Sequence, residues 1–246
     1  MTAAAPFVLL HGWACPTATW RAVAERLTAA GHDVVVPELL GYGSDPSRLL
    51  ERAWTLEAAA HDVARVLERA GSPAVLAGHS LGGSVAATVA ALRPELVTAV
   101  AFVGMVPVPP GAATAERLSR MFLGSEGPPS REAIEACLAA WYGTVPEDPG
   151  LAAELKTAFG VPGPVLRGSL RAALGGVQPG VTETLTGPVA VVLGANDCTR
   201  PPEDVERLLA AHPDWSLTTV PDAGHMVQWE APDACASALA SLAEGL

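Results

Sequence analysis

One stretch constrains this chain more than any other: Ala74-Val75-Leu76-Ala77-Gly78-His79-Ser80-Leu81-Gly82-Gly83. A short apolar run leads into G-x-S-x-G, and the segment Leu81–Leu92 that follows reads as a helix. A serine lifted onto a sharp strand-to-helix turn takes a strained backbone conformation. Its neighbours two residues to either side must then be small, and here they are Gly78 and Gly82. The next helix points its free N–H groups and its dipole at the serine, which favours an oxyanion. G-x-S-x-G alone arises often by chance. The strand before it and the helix after it make Ser80 the expected nucleophile.

The rest of the chain repeats this strand–helix unit. Further strands are expected at Phe7–Leu10, Asp33–Val36, Val97–Val103, Pro188–Leu193 and Ser216–Val220, besides Ala74–Ala77. Helices are expected at Thr17–Ala30, Leu56–Ala70, Pro202–Ala211 and Pro232–Leu242. The strand segments are continuously apolar and β-branched, as required when both faces of a sheet are covered. The alternation predicts an α/β fold, with a mostly parallel sheet of about six strands flanked by helices and right-handed crossovers. The rhythm breaks from residue 107 to 187. Four short helices are expected there, at Thr114–Leu123, Arg131–Tyr142, Pro149–Phe159 and Pro164–Leu174, separated by Pro–Gly clusters. About 80 residues is far beyond an ordinary crossover. The expectation is a helical lid at 107–187 on a core formed by 1–106 and 188–246.

Charge and cysteine usage narrow the function classes. The formal net charge is −11 and the pI about 4.9, which argues against nucleic acid or an anionic membrane surface as partner. Four scattered cysteines, Cys15, Cys137, Cys198 and Cys235, form no CxxC pair and read as reduced thiols. The start MTAAAPFVLLHGW has neither the basic beginning nor the long apolar run of a signal peptide, and no apolar stretch approaches a bilayer span. The chain is read as cytoplasmic, with no membrane association. It has no phosphate loop, dinucleotide motif or metal-ligand cluster, so no cofactor and no metal are expected. Its oligomeric state is open.

A serine hydroxyl needs a base. His225, in Asp222-Ala223-Gly224-His225-Met226, follows the last strand and so reaches the same sheet edge as Ser80. His32, His61 and His212 lie in or at the ends of helices and read as structural or solvated, and His79 flanks the nucleophile. The acid that orients the base is expected after a strand between serine and histidine. Asp197, in Gly194-Ala195-Asn196-Asp197, fits. Asp222 lies too near His225 in sequence to reach around its ring, and Asp204 lies on a helix. At the first strand's end, Leu10-His11-Gly12-Trp13 offers a loop whose Trp13 N–H, with the Leu81 N–H, would hold an oxyanion. Gly12 lets the backbone come close, and His11 is read as bracing the loop.

With these residues in place, the chain resembles the α/β-hydrolase superfamily. The motifs HGW, GHSLGG, GANDCTRPP and DAGH carry the resemblance across nearly the whole length. The resemblance implies the α/β-hydrolase fold, with the family's first two strands absent because six residues precede Phe7. In that respect the chain is similar to small bacterial carboxylesterases and to the subgroup of plant methyl esterases and hydroxynitrile lyases. The lyases resemble one another in a threonine of the oxyanion loop and a lysine directly after the catalytic histidine. The matching positions here are Gly12 and Met226, which points to ester hydrolysis. Ser80 excludes the aspartate nucleophile of haloalkane dehalogenases and epoxide hydrolases, and the cysteine of dienelactone hydrolases. The implied activity is hydrolysis of a carboxylic ester, lactone or thioester through an acyl-enzyme, on a small to medium hydrophobic acyl substrate. His79, Trp141 and Tyr142 join Gly12 and Met226 as candidate binding residues, among apolar lid side chains that mostly pack the lid onto the core. A biosynthetic cyclase, lyase, acyl transferase or editing thioesterase would use the same site. A non-catalytic receptor would have no need of an intact Ser–Asp–His set.

Overall fold

The computed structural model describes residues 5–43, 54–124, 126–142, 149–199 and 201–246. Residues 125 and 143–148 of the expected lid, and Arg200 of GANDCTRPP, lie outside the described residues.

Six strands form one sheet: β1 (Phe7–Leu10), β2 (Val34–Val35), β3 (Ala74–His79), β4 (Val97–Val103), β5 (Val189–Gly194) and β6 (Ser216–Val220). Their order is β2-β1-β3-β4-β5-β6 and every neighbouring pair is parallel. Side chains alternate between the faces with period two. Val8, Leu10, Leu76, Val100 and Phe102 join one core cluster. Phe7, Leu9, Val75, Ala101 and Val103 join the other. Helices α1 (Arg21–Ala29) and α9 (Pro232–Glu244) cover the second face through Val23, Leu27, Cys235 and Leu239. Helices α2 (Leu56–Ala70), α3 (Leu81–Leu92) and α8 (Pro202–Ala211) cover the first. The Thr55 hydroxyl caps α2 by accepting the Ala58 N–H, and Gly71 in left-handed geometry ends it.

Two expectations change at the sheet edges. β2 shrinks from Asp33–Val36 to two residues, and Val35 in β2 and Leu217 in β6 are exposed. The helices pack mainly on the central strands, where β1 and β3 are wholly buried. Continuous burial therefore holds for the middle of the sheet only. In its first third the expected helix Thr17–Ala30 tightens to a 3-10 turn, Thr17–Trp20, before α1 begins.

Between β4 and β5 the chain forms α4 (Ala112–Phe122), α5 (Arg131–Trp141), α6 (Pro149–Thr157) and α7 (Gly163–Gly175). Helix α7 is tied to the loops after β1 and β2. The Trp13 indole N–H donates to the Leu166 carbonyl at 2.8 Å, and the Tyr42 hydroxyl meets the Ser169 hydroxyl at 2.8 Å. Among the described residues no helix is long and apolar enough to cross a membrane.

The strand order fixes where a site forms. From β1 the chain moves outward to β2 and then returns to place β3 on the other side of β1. The loops after β1 and β3 thus diverge and leave a crevice at their C-terminal ends, the general ligand position of open parallel sheets. Ser80 follows β3 and Gly12 follows β1.

Candidate active site

Ser80 sits between β3 and α3 at φ 51°, ψ −117°, a region that costs about 1–3 kcal/mol for a residue with a side chain. The turn is held from both sides. The Ser80 N–H donates to the Val103 carbonyl at 3.1 Å, and the Ser80 carbonyl accepts the Gly83 N–H at 2.9 Å. The flanking glycines are explained by contact. A Cβ on Gly78 would run into the Gly82 carbonyl and the Gly83 nitrogen, and one on Gly82 would meet the Leu10 carbonyl. All of these are backbone atoms that cannot swing aside. Gly78→Ala is therefore expected to destabilise the fold by about 3 kcal/mol or more. A thermal melt of the variant that matches the parent within a degree or two would contradict this account.

Ser80 itself stays half-buried, within reach of a ligand. The loop after β1 lies against it, since a Cβ on Gly12 would fall 3.3 Å from the Ser80 Cβ and 2.6 Å from the His79 Nδ1. Among the described residues no hydrogen bond engages the backbone N–H of Trp13 or of Leu81. Leu81 opens α3, where the first N–H groups lack intrahelical partners. His11 braces the loop: its Nδ1–H donates to the Gly12 carbonyl at 2.9 Å, and its Nε2 accepts the Leu39 N–H at 3.0 Å. Both nitrogens are committed to the neutral ring.

Burial pushes the His11 pKa down to about 4, against a smaller upward pull from its bond to Gly12. The unfolded chain takes up this proton near pH 6.5 and the folded chain only near 4, so the stabilisation is complete above 6.5 and is lost as pH falls toward 4. The expected loss is about 3 kcal/mol from this residue. Denaturant titrations at pH 7.5 and 4.5 check it; His11→Asn should shrink the difference by about that amount, leaving the share of other buried histidines.

His225 and Asp197 lie on neighbouring loops after β6 and β5. Backbone bonds join the loops, from the Ala195 N–H to the Val220 carbonyl and from the Asn196 N–H to the Ala223 carbonyl, both 2.9 Å. Gly194 permits this approach, because a Cβ there would collide with the Ala223 and Gly224 carbonyls. The Gly224 N–H also donates to the Glu230 carboxylate at 2.8 Å. The His225 Nδ1–H donates to the Asp197 Oδ2 at 2.9 Å. That bond leaves Nε2 with its lone pair, the atom a base needs. Burial pulls the Asp197 carboxyl pKa upward. The charge and hydrogen bond of His225 and the bonds from Thr199 outweigh it and hold the carboxyl well below its usual range.

The expected residues are placed unevenly. Ser80, Gly12, His79, Asp197 and His225 converge at the crevice. Trp141 joins them from α5: its carbonyl accepts the His225 N–H at 3.0 Å, and its ring lies 6.4 Å from the His225 ring. Tyr142 is buried and its hydroxyl has no partner among the described residues. Met226 is wholly buried in the core. Asp222 adopts φ 60° as part of the turn into the His225 loop, and Asp204 pairs with Arg207 on the surface. His212 stacks on Trp215 and His32 packs against Phe7. The four cysteines are free thiols.

Two participants escaped the sequence reading. The Thr199 N–H donates to the Asp197 Oδ1 at 2.8 Å and so fixes the carboxylate. The signal was the spacing Asp-x-Thr, in which an aspartate accepts from the N–H two residues on. Gly104 ends β4 at φ 59°, and a Cβ there would strike the His225 carbonyl. A glycine at a strand end marks such close approaches.

Comparison with known proteins agrees with the fold. The alpha/beta hydrolase family profile matches residues 7–238. Methylesterase 9 of Arabidopsis thaliana is 33% identical over 74% of this chain and 71% of its own length. The pimeloyl-[acyl-carrier protein] methyl ester esterase of Klebsiella pneumoniae is 41% identical over 41% of this chain, a match spanning 36% of that relative's length. Among solved structures, a thermophilic esterase from Thermogutta terrifontis superposes with a TM-score of 0.83 at 22% identity, over 98% of this chain and 90% of that one. At this identity the superposition speaks for the fold alone.

Proposed function

The chain belongs to the α/β-hydrolase family, and from that premise we propose that it is a serine hydrolase of carboxylic esters. The observation that carries the reading is the His225–Asp197 pair at 2.9 Å, set on the same crevice as a serine held on a strained turn. In this reading the Ser80 hydroxyl attacks the ester carbonyl while His225 Nε2 takes its proton. The Trp13 and Leu81 N–H groups hold the oxyanion, each worth about 3 kcal/mol of barrier. His225 returns the proton to the departing alcohol, leaving Ser80 acylated. A water, deprotonated by His225, then releases the acid and restores the serine. Asp197 keeps the neutral imidazole in the Nδ1–H tautomer and stabilises the imidazolium as it forms.

Helices α4–α7 are taken as the lid. They carry an aromatic cluster onto the oxyanion loop, with Trp13 edge-on to Phe122, Trp141 and Phe159 at 4.9, 5.8 and 5.6 Å. A cavity of about 270 Å³ opens beyond Phe122, Phe159 and Leu166. Glu126 and Arg167 also line that cavity, so it is the aromatic cluster against Trp13 that supports a small to medium hydrophobic acyl or alcohol group. The related methyl ester esterases support a carboxylic ester substrate. The lyase alternative loses support at Gly12, because a side chain there meets His79 Nδ1 at 2.6 Å.

The test is turnover of p-nitrophenyl butyrate together with mapping of a fluorophosphonate adduct. Hydrolysis with the adduct on Ser80 is expected. An active protein whose adduct lies elsewhere, or nowhere, overturns the assignment.

A further inference from the structure

The triad does not use every histidine at the crevice. His79 precedes Ser80 at the end of β3 and is 1% exposed. Its ring lies among Gly12, Gly104 and the main chain of His225. The His79 Nε2 is 3.1 Å from the His225 carbonyl oxygen. A carbonyl only accepts, so Nε2 carries the proton and Nδ1 is a bare lone pair. That Nδ1 has no partner among the described residues and faces Gly12 of the oxyanion loop. The His225 peptide is thereby gripped at both ends, its N–H by the Trp141 carbonyl and its C=O by His79. Gly104 keeps room for the second grip, since a Cβ there would strike the same His225 carbonyl and come within 3.1 Å of the His79 ring.

We propose that His79 is a positioning residue, a neutral Nε2–H imidazole that holds the main chain of His225 in register with Ser80 and the oxyanion loop. The inference rests on the triad reading above. Its neutrality follows from its surroundings. Burial disfavours the cation most, the nearby His225 adds repulsion, and the bond to the His225 carbonyl only partly opposes them. The two rings lie 4.9 Å apart. When His225 becomes an imidazolium during catalysis, a neutral donor at 79 avoids a second positive charge beside it.

A mere space-filling role is separated from this one by a pair of substitutions. His79→Leu fills the volume without a donor. His79→Gln offers an amide N–H near the position of Nε2. With p-nitrophenyl butyrate, the leucine variant is expected to lose about 10- to 100-fold in kcat with KM within about twofold, the scale of a small misplacement of a reacting group. The glutamine variant should recover most of that loss. In the parent protein, ¹⁵N–¹H correlation spectra should show His79 as the Nε2–H tautomer at neutral pH. Equal kcat in the two variants, or a His79 proton on Nδ1, overturns the proposal. The spectra decide even if the leucine variant fails to fold. Hydrolysis surviving in Ser80→Ala would instead overturn the triad reading beneath it. A dead Ser80→Ala beside a fully active His79→Leu would remove this inference alone.

Discussion

Ser80→Ala is expected to lower kcat for p-nitrophenyl ester hydrolysis by about 10⁴-fold or more while leaving the fold intact. The alanine keeps the backbone of the turn, the flanking glycines and the Val103 bond, so the melt should shift little. What it removes is the hydroxyl proposed to become acylated. The two amides proposed to hold the oxyanion and the crevice remain, so a residual rate above that of free solution is expected. The effect should not add to that of His225→Ala. A base without a nucleophile and a nucleophile without a base fail at the same step, so the double variant should be about as slow as either single one. Steady-state kinetics of the three variants check this. Additive losses, or an alanine variant within tenfold of the parent, would rule out Ser80 as the nucleophile.

Asp197→Asn is the second large effect, an expected fall of about 10³- to 10⁴-fold in kcat with KM little changed. Asp197 spends one oxygen on the Thr199 N–H at 2.8 Å and the other on the His225 Nδ1–H at 2.9 Å. The amide oxygen of asparagine can keep the Thr199 bond, which turns its NH₂ toward His225. An NH₂ group cannot accept, so Nδ1 must give up its proton and Nε2 must carry it. The lone pair then faces away from Ser80. The variant also lacks the anion that stabilises the imidazolium. Retention of more than a tenth of the parent kcat would show that Asp197 does not orient the base.

Much of this site was legible in the chain. Ser80, Asp197 and His225 each follow a short strand, and parallel strands joined by helical crossovers bring such loops to one edge of the sheet. The glycines at 78 and 82 announced the turn because only tight backbone packing demands them there. Thr199 was readable in principle from its spacing to Asp197. Gly104 and the true position of His79 were not, because their meaning depends on the His225 carbonyl. That partner lies 146 residues from His79 along the chain. The same holds for the Trp13–Leu166 bond across 153 residues.

The sequence by itself therefore determined the local machinery. Hydrophobic period, turn chemistry and the order of serine, acid and base are properties of neighbours along the chain, and each is set by sterics within a few residues. Only the tertiary structure decided which side chains brace that machinery and which strands stay wet. Bracing and burial arise between elements far apart in sequence, after the sheet has chosen its order. For Ser80, that meant the imidazole of His79 behind it and the oxyanion loop at Gly12 beside it.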